Sequence, residues 1–280
     1  MPELPEVETI ARELNASSLI GSPIISARIL WARTLQGIDE KNFNTLIQKQ
    51  TLRSSGRRGK YIVLTLDQHI LLVHLRMTGK FAIIPSNEPF HPHERIRLYF
   101  ADGQALQYKD PRKFGRWTLS TDYHQTLQHL GIEPLSPEFT VEVFSKLLQS
   151  RSKIKPFLLN QAHISGLGNI YVDEALWEAK IHPETPAFTL SKNSIRLLHC
   201  AIKNVLTKGI ENQGTRLGNG QANYYSVNRK AAHQHQLQVF RRTGLPCPRC
   251  STPIIKFVVA QRGTHICPHC QKVILALKTE

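Results

Sequence analysis

Residues 2 and 3 set a proline and a glutamate directly behind Met1. Aminopeptidases accept a small second residue, so Met1 is expected to be removed, leaving Pro2 with a free secondary amine. An α-amino group has a pKa of about 8, against about 10.4 for lysine, so far more of it is unprotonated at neutral pH. Such an amine can attack an aldehyde-like carbon to form an iminium, and a secondary amine gives one that is permanently cationic. Glu3 stands beside it as a group for moving protons. The same stretch also reads as a helix start. Pro5 suits a first helical position, Glu6 and Glu8 suit the positive end of the dipole, and Val7, Ile10 and Leu14 share one face. The helix accounts for residues 5–16 but not for Pro2-Glu3-Leu4 in front of them.

A second chemistry lies near the other end. Cys247-Pro248-Arg249-Cys250 and Cys267-Pro268-His269-Cys270 are two Cys-x-x-Cys knuckles. Two such knuckles complete a closed tetrahedral shell around one zinc ion, which leaves no open position for catalysis, so the expected zinc is structural. A redox role would need only one pair in a βαβ setting. Between the knuckles, residues 254–259 read as a strand and Gln261-Arg262-Gly263-Thr264 as a tight turn with Arg262 at its tip, a suitable phosphate probe. The fifth cysteine, Cys200, lies off the apolar stripe of its helix and far from the others, and reads as a structural or semi-exposed thiol.

Several cationic stretches admit two readings. Arg53-Ser54-Ser55-Gly56-Arg57-Arg58-Gly59-Lys60 reads as a glycine-bearing basic loop suited to phosphate, or as a solvated charge run. Asp110-Pro111-Arg112-Lys113-Phe114-Gly115 reads as a turn displaying Arg112 and Phe114. An apolar wedge beside an arginine can fill the hole left by an extruded base, but an ordinary cation and a packed aromatic would look the same. Met77 otherwise reads as a strand-end core residue, and His91 and His93 as surface residues or weak metal ligands. Ile164-Ser165-Gly166-Leu167-Gly168-Asn169 is a glycine turn between helices. It offers N–H groups to phosphate, or merely connects.

Pro2-Glu3-Leu4-Pro5-Glu6-Val7-Glu8 resembles the N-terminal signature of the formamidopyrimidine-DNA glycosylase family, whose members remove oxidised bases from DNA. The sister endonuclease VIII branch usually has Gly where this chain has Leu4. Arg-Arg-Gly-Lys-Tyr around Lys60, Asp-Pro-Arg-x-Phe-Gly, Gly-Leu-Gly-Asn-Ile-Tyr and Gln-Arg-Gly-Thr follow in the family's order, so the resemblance spans nearly the whole chain. It implies base-excision repair of oxidised purines (8-oxoguanine and formamidopyrimidines) through a Pro2 Schiff base, followed by abasic-site lyase β,δ-elimination. Pro2, Glu3, Lys60 and Arg262 are the implied catalytic residues. Met77, Arg112 and Phe114 are the implied insertion residues, and His93, Arg151, Lys155 and Asn169 the further DNA contacts. Cys247, Cys250, Cys267 and Cys270 hold the implied zinc, with no organic cofactor. The implied partner is double-stranded DNA carrying oxidised bases or abasic sites, bound by a monomer that extrudes the lesion into a cleft between a β module and a helical module. The glycine- and asparagine-rich stretch at residues 213–228 departs from the family's usual lesion-covering loop, which bears on lesion choice more than on the reaction. A pyrimidine-specific sister enzyme and a catalytically silent zinc-bearing DNA-binding module are the competing readings.

These residues need elements to carry them. With 280 residues, 41% of them hydrophobic and 20% charged, the chain suits a soluble globular protein of several modules. A net charge of +15 favours a polyanionic partner, foremost nucleic acid. Charged residues throughout positions 1–20 leave no secretory signal, and no apolar run is long enough to span a membrane, so a cytoplasmic location is expected, nucleoid-associated on DNA. The expected fold is α+β and multidomain. It comprises an N-terminal antiparallel β-sandwich with flanking helices (1–132), a helical helix–two-turn–helix domain with the 213–228 loop (133–228), and a C-terminal zinc-ribbon finger (237–276). Tyr61–Leu66 with Ile70–Leu75, and Arg95–Phe100 with Ala105–Tyr108 across Asp102-Gly103, read as hairpins. Ser136 reads as the cap of a helix through Val143, Phe144 and Leu147, residues 154–161 as a second helix, and Ser191 as the cap of a long one.

Overall fold

The computed structural model describes residues 1–215 and 236–272. The chain divides into two compact units, Met1–Gln128 with Ile210–Gln234, and His129–Gly209 with His235–Glu280.

The first unit opens with α1 (Leu4–Asn15), β1 (Ile24–Ile29), β2 (Leu35–Gln36) and α2 (Glu40–Ile47). The strands β3 (Ser54–Arg58), β4 (Tyr61–Thr65), β5 (Ile70–His74), β6 (Lys80–Pro85), β7 (Glu94–Phe100), β8 (Gln104–Lys109) and β9 (Arg116–Ser120) follow, then a single turn, α3 (Tyr123–Thr126). They form a four-stranded sheet, β1-β7-β8-β6, and a five-stranded sheet, β2-β9-β5-β4-β3. All pairings are antiparallel except the short parallel contact of β2 with β9, a departure from a purely antiparallel sandwich. Both expected hairpins form, with Gly103 at φ +79° in the β7–β8 turn, where a side chain would be strained.

Arg53–Lys60 is not a loop. Its residues 54–58 are an edge strand paired with β4, from Ser54 opposite Thr65 to Arg58 opposite Tyr61. Two residues, Gly59 and Lys60, make the turn, and Gly59 takes φ +56°. The cations of this stretch mask its strand character from any reading of hydrophobic pattern. Ile62, Val63 and Leu64 in β4 are all buried, because the strand is covered on both faces. One core unites the unit: Val7, Ile10 and Leu14 from α1, residues of both sheets, and Trp117, whose ring centroid lies 5.8 Å from Phe81 and 5.3 Å from Tyr108.

The second unit holds α4 (Val141–Leu147), α5 (Ile154–Leu159), α6 (Asn169–Glu178), α7 (Lys192–Glu211) and a two-stranded hairpin, β10 (Ile255–Val259) with β11 (Arg262–Ile266). The cap of α4 is Thr140, whose side chain accepts from Val143 N–H, and not Ser136, which instead begins a turn closed by Phe139 N–H. Ser191 does cap α7, accepting from Ser194 N–H at 3.1 Å. The hairpin turn is Ala260-Gln261, at φ +46° and +62°, so Arg262 begins β11 opposite Val259 instead of sitting at the tip. The 213–228 stretch lies, beyond Thr215, outside the described residues, as do the last residues expected in the zinc module. No helix among the described residues is long and apolar enough to cross a membrane.

A buried ion pair stiffens β7. Arg97 meets Glu94 with Nε at 2.6 Å and Nη2 at 2.8 Å, and Glu94 also accepts from Gln107 Nε2 at 2.7 Å. Removing one member strands a buried charge, which costs about 3–5 kcal/mol, whereas removing both does not. Arg97→Leu is therefore expected to destabilise the protein by about that amount in urea unfolding, and Glu94→Gln/Arg97→Leu by markedly less.

Candidate active site and metal centre

In the first unit the head of α1 is fixed by a carboxylate. Glu6 accepts the Glu3 N–H at 2.8 Å through one oxygen and the Thr215 N–H at 2.7 Å through the other. Pro2, Glu3 and Glu6 are all buried. Along its length α1 lies on β3: Asn15 Oδ1 accepts from Ser55 N–H at 2.9 Å, and Glu8 Oε2 from Arg57 Nε at 3.0 Å. Stepping back from Asn15 to Glu8 moves the contact from Ser55 to Arg57. Continuing to Glu3 carries the start of the helix toward the Gly59-Lys60 turn. Lys60, at 5% exposure, is a buried lysine in the turn that follows β3, the strand on which α1 lies.

His74, at the end of β5, belongs to the same neighbourhood and was not expected from the sequence. Its Nδ1 accepts the Arg76 N–H at 3.0 Å, and its ring meets Tyr61 edge-on at 4.7 Å. Burial first, then the charges of Arg76 and Lys60, hold it down from an ordinary 6.5 to about 3. Glu6 was also missed as more than a helix-dipole partner; its place three residues after Glu3 is the available signal.

The expected insertion and contact residues of this unit stand out from it. Met77 is 41% and Phe114 46% exposed, and Arg112 and His93 are exposed too. The Arg112 guanidinium lies 4.7 Å from the Phe114 ring centroid.

In the second unit α6 organises the rest. Asn169 Nδ2 donates to Gly263 O at 2.9 Å, so this side chain is turned onto the hairpin. Asp173 pairs with Lys155 Nζ at 2.6 Å and accepts the His265 N–H at 3.0 Å. Lys155 also donates to Thr264 Oγ1 at 2.9 Å and Gly263 O at 3.1 Å. Lys155 is 0% exposed in this DNA-free structure. The lysine pins the residues next to Arg262, which stays exposed, as does Arg151. Glu174 accepts the N–H groups of Gln238, Val239 and Phe240 at 2.8, 3.0 and 2.8 Å; burial pushes its carboxyl up, and these three bonds pull it back. Arg249 stacks on Trp177 at 3.8 Å and caps the helix end through Trp177 O and Glu178 O.

The four knuckle cysteines have their sulfurs within 4.8 Å of one another. Cys250 lies 3.4 Å from Cys267 and 3.6 Å from Cys270, and Cys247 lies 4.0 Å from Cys270. Zinc–sulfur bonds of about 2.3 Å in a tetrahedron require about 3.8 Å between sulfurs, so the quartet fits one zinc ion. The Thr252 hydroxyl and N–H hold Cys250 down at about 6, whereas burial and the neighbouring sulfurs push Cys270 up to about 12. A central cation relieves that conflict by binding thiolates. The knuckles pack on Trp177, Val239 and Ile254. Cys200 is exposed and takes no part. No metal-binding group gathers around His91 and His93 among the described residues.

Residues 1–117 match the Formamidopyrimidine-DNA glycosylase N-terminal domain, residues 130–219 the Formamidopyrimidine-DNA glycosylase H2TH domain, and residues 244–273 the Zinc finger found in FPG and IleRS. A Formamidopyrimidine-DNA glycosylase of Protochlamydia amoebophila is 50% identical over 275 residues, covering 97% of this chain and 100% of that protein. One of Herpetosiphon aurantiacus is 44% identical over 276 residues, with coverage of 97% and 100%. The structure of Lactococcus lactis Fpg in complex with abasic-site DNA superposes with a TM-score of 0.89 at 39% identity, over 97% of this chain and 100% of that one. Its complex with Fapy-dG DNA gives 0.88 at 38%, with the same coverage.

Two outcomes follow. One zinc per chain is expected by atomic absorption; Cys267→Ser should lose it and change the emission of Trp177, while Cys200→Ser should leave zinc content unchanged. His74 is neutral when folded and binds a proton when unfolded between pH 6.5 and about 3. Its contribution to stability is therefore whole above about pH 6.5 and is lost as pH falls toward about 3. Urea unfolding from about pH 7 to about pH 4 should show a smaller loss for His74→Asn than for the unaltered protein.

Proposed function

The chain belongs to the formamidopyrimidine-DNA glycosylase family, a family of DNA N-glycosylases, and from that premise we propose that it excises oxidised purines from duplex DNA and then cuts the strand. The Pro2 amine, freed of Met1, attacks the sugar C1′ as the bond to the damaged base breaks. Glu3 moves protons at the sugar as its ring opens. The resulting iminium acidifies the C2′ proton. Loss of that proton expels the 3′ phosphate by β-elimination, and δ-elimination then expels the 5′ phosphate. Lys60 and Arg262 hold phosphates near the reacting sugar. Met77, Arg112 and Phe114 fill the hole left by the extruded nucleotide, His93, Arg151 and Asn169 contact the DNA, and Lys155 stands near the damaged nucleotide.

What carries this reading is the buried head of α1. Glu6 fixes Glu3 there, and β3, on which α1 lies, leads into the turn that holds Lys60. An ordinary helix start needs neither a buried glutamate ahead of Pro5 nor a buried lysine in the turn of the strand it packs on. The full-length likeness to proteins named for this activity supports the substrate class. The Fapy-dG and abasic-site DNA complexes of the Lactococcus lactis protein support the DNA partner.

The test is borohydride trapping on duplex DNA with 8-oxoguanine opposite cytosine, followed by mass mapping. Reduction turns the iminium into a stable crosslink, expected on an N-terminal Pro2 and lost in Pro2→Gly. An adduct only on dihydrothymine or abasic-site duplexes would sink the purine assignment and keep the chemistry. Binding without any adduct would identify a catalytically silent module.

A further inference from the structure

Met77, His93 and the Arg112–Phe114 pair ride on three loops that leave different strands. Met77 follows β5, His93 precedes β7, and Arg112 and Phe114 lie between β8 and β9. The strand ladders bring the roots of these loops together, His74 opposite Arg116 and both Lys80 and Glu94 opposite Lys109, and beyond the ladders all three loops meet at Asp110. One carboxylate oxygen accepts from the Thr78 hydroxyl and from the Arg112 N–H at 3.3 Å. The other accepts the Gly115 N–H at 2.8 Å. The Asp110 N–H donates to His93 O at 2.8 Å. Its carbonyl accepts from Arg95 Nε at 2.9 Å, and Arg95 reaches on through Nη1 to Pro92 O at 3.3 Å and Glu94 O at 3.0 Å. Asp110 is 1% and Arg95 8% exposed, while the residues they set are exposed.

Two further features mark the same constraint. Arg76 and Lys113, each directly before an insertion residue, take φ +52° and +61°, a region such side chains enter only when their surroundings hold them there. The Tyr108 hydroxyl is wedged between the two loops. A Cβ on Gly115 would come within 1.7 Å of it, and one on Gly79 within 2.5 Å. No residue other than glycine fits at Gly115 without moving that ring.

We infer that Asp110, tied to Arg95, is a positioning residue that sets Met77, Arg112 and Phe114, together with the His93 loop, as one preformed constellation. The inference rests on the insertion role given to those three residues above. Its physical content is preorganisation: loops already ordered need not be ordered when the duplex is entered. Asp110 therefore acts on the step that needs a duplex, the filling of the void, and not on the chemistry at C1′.

The variants to test are Asp110→Asn, which puts an amide N–H₂ in place of one carboxylate oxygen and so sets it against at least one donor whichever way the amide turns, and Thr78→Val, which keeps shape and removes one of the donors. Each is assayed for single-turnover excision of 8-oxoguanine from duplex DNA, and for borohydride trapping on a single-stranded abasic oligonucleotide, where no partner base is left unstacked. Asp110→Asn is expected to slow duplex excision about ten- to a hundredfold, the range that misplaced groups cost, and to leave single-strand trapping at the unaltered rate. Thr78→Val should show a smaller loss confined to the duplex. 2-Aminopurine beside the lesion should report weaker unstacking in both. Phe114→Ala is the control and should reproduce the duplex defect. Equal rates for Asp110→Asn and the unaltered protein on the duplex would overturn the inference. So would equal losses on both substrates, which would mean general damage to the fold. If Asp110→Asn does not fold, Thr78→Val decides: a duplex-only loss supports the inference and no loss overturns it. A normal duplex rate for Phe114→Ala would overturn the insertion role itself. Absence of any trapping by the unaltered protein would overturn the proposed reaction.

Discussion

A backbone N–H that leaves regular structure and is shut off from water costs about 1–3 kcal/mol unless an acceptor meets it. The groups assigned to chemistry in this chain sit at such places: the head of a helix, the loops between strands, the root of a hairpin. The acceptors that meet them are buried carboxylates. Glu6 takes the N–H groups of Glu3 and Thr215. Asp110 takes those of Arg112 and Gly115, Asp173 that of His265, and Glu174 those of three successive residues, 238–240. A carboxylate suits this task because its two oxygens can accept several bonds, and charge-assisted bonds are the stronger kind.

Burying a charge costs free energy of its own, and the structure shows how that cost is offset. Asp173 has a lysine and a histidine against it, and Glu94 has Arg97 in a two-pronged contact. Glu174 is met by three N–H groups, against which burial still raises it. The anchors are thus interior, and those at Asp110 and Asp173 stand directly behind exposed residues, Arg112 and Phe114 at the first and Arg262 at the second, a division suited to a surface that must meet a ligand without rearranging.

The two units solve their positioning problems separately. In the first, α1 packed on β3 brings the amino end of the chain toward a lysine in a two-residue turn. In the second, successive residues of α6 hold the zinc-binding segment at several points: Asn169 and Asp173 at the hairpin, Glu174 at residues 238–240, and Trp177 and Glu178 at the first knuckle. A four-cysteine knuckle pair is too small to bury a core of its own, so the metal and the face of α6 together do what a larger core would. Arg262 is exposed because its neighbours, and not itself, carry those contacts.

Much of this was legible in the residues. Turns and caps are encoded within three or four positions, so Asp102-Gly103, the Ser191 cap and both Cys-x-x-Cys knuckles could be found locally. The order of the family's motifs identified the family and its α+β architecture. What failed locally failed for physical reasons. Arg53–Lys60 looks like a loop because its strand is cationic, and only pairing with β4 makes it one. Ser136 lost the cap of α4 to Thr140, four residues on, because both are competent caps and packing chose between them. Arg262 moved from turn tip to strand because Ala260 and Gln261 adopt positive φ that their types do not advertise. The burial of Lys155 could not be read locally, because its partners Gly263 and Thr264 lie 108 and 109 residues away. The amino-acid sequence by itself determined which chemical groups this protein carries and most, though not all, of the elements that bear them. Only the tertiary structure decided which of those groups face outward and which are spent holding the others in place, because burial is set by contacts between residues that are far apart in the chain.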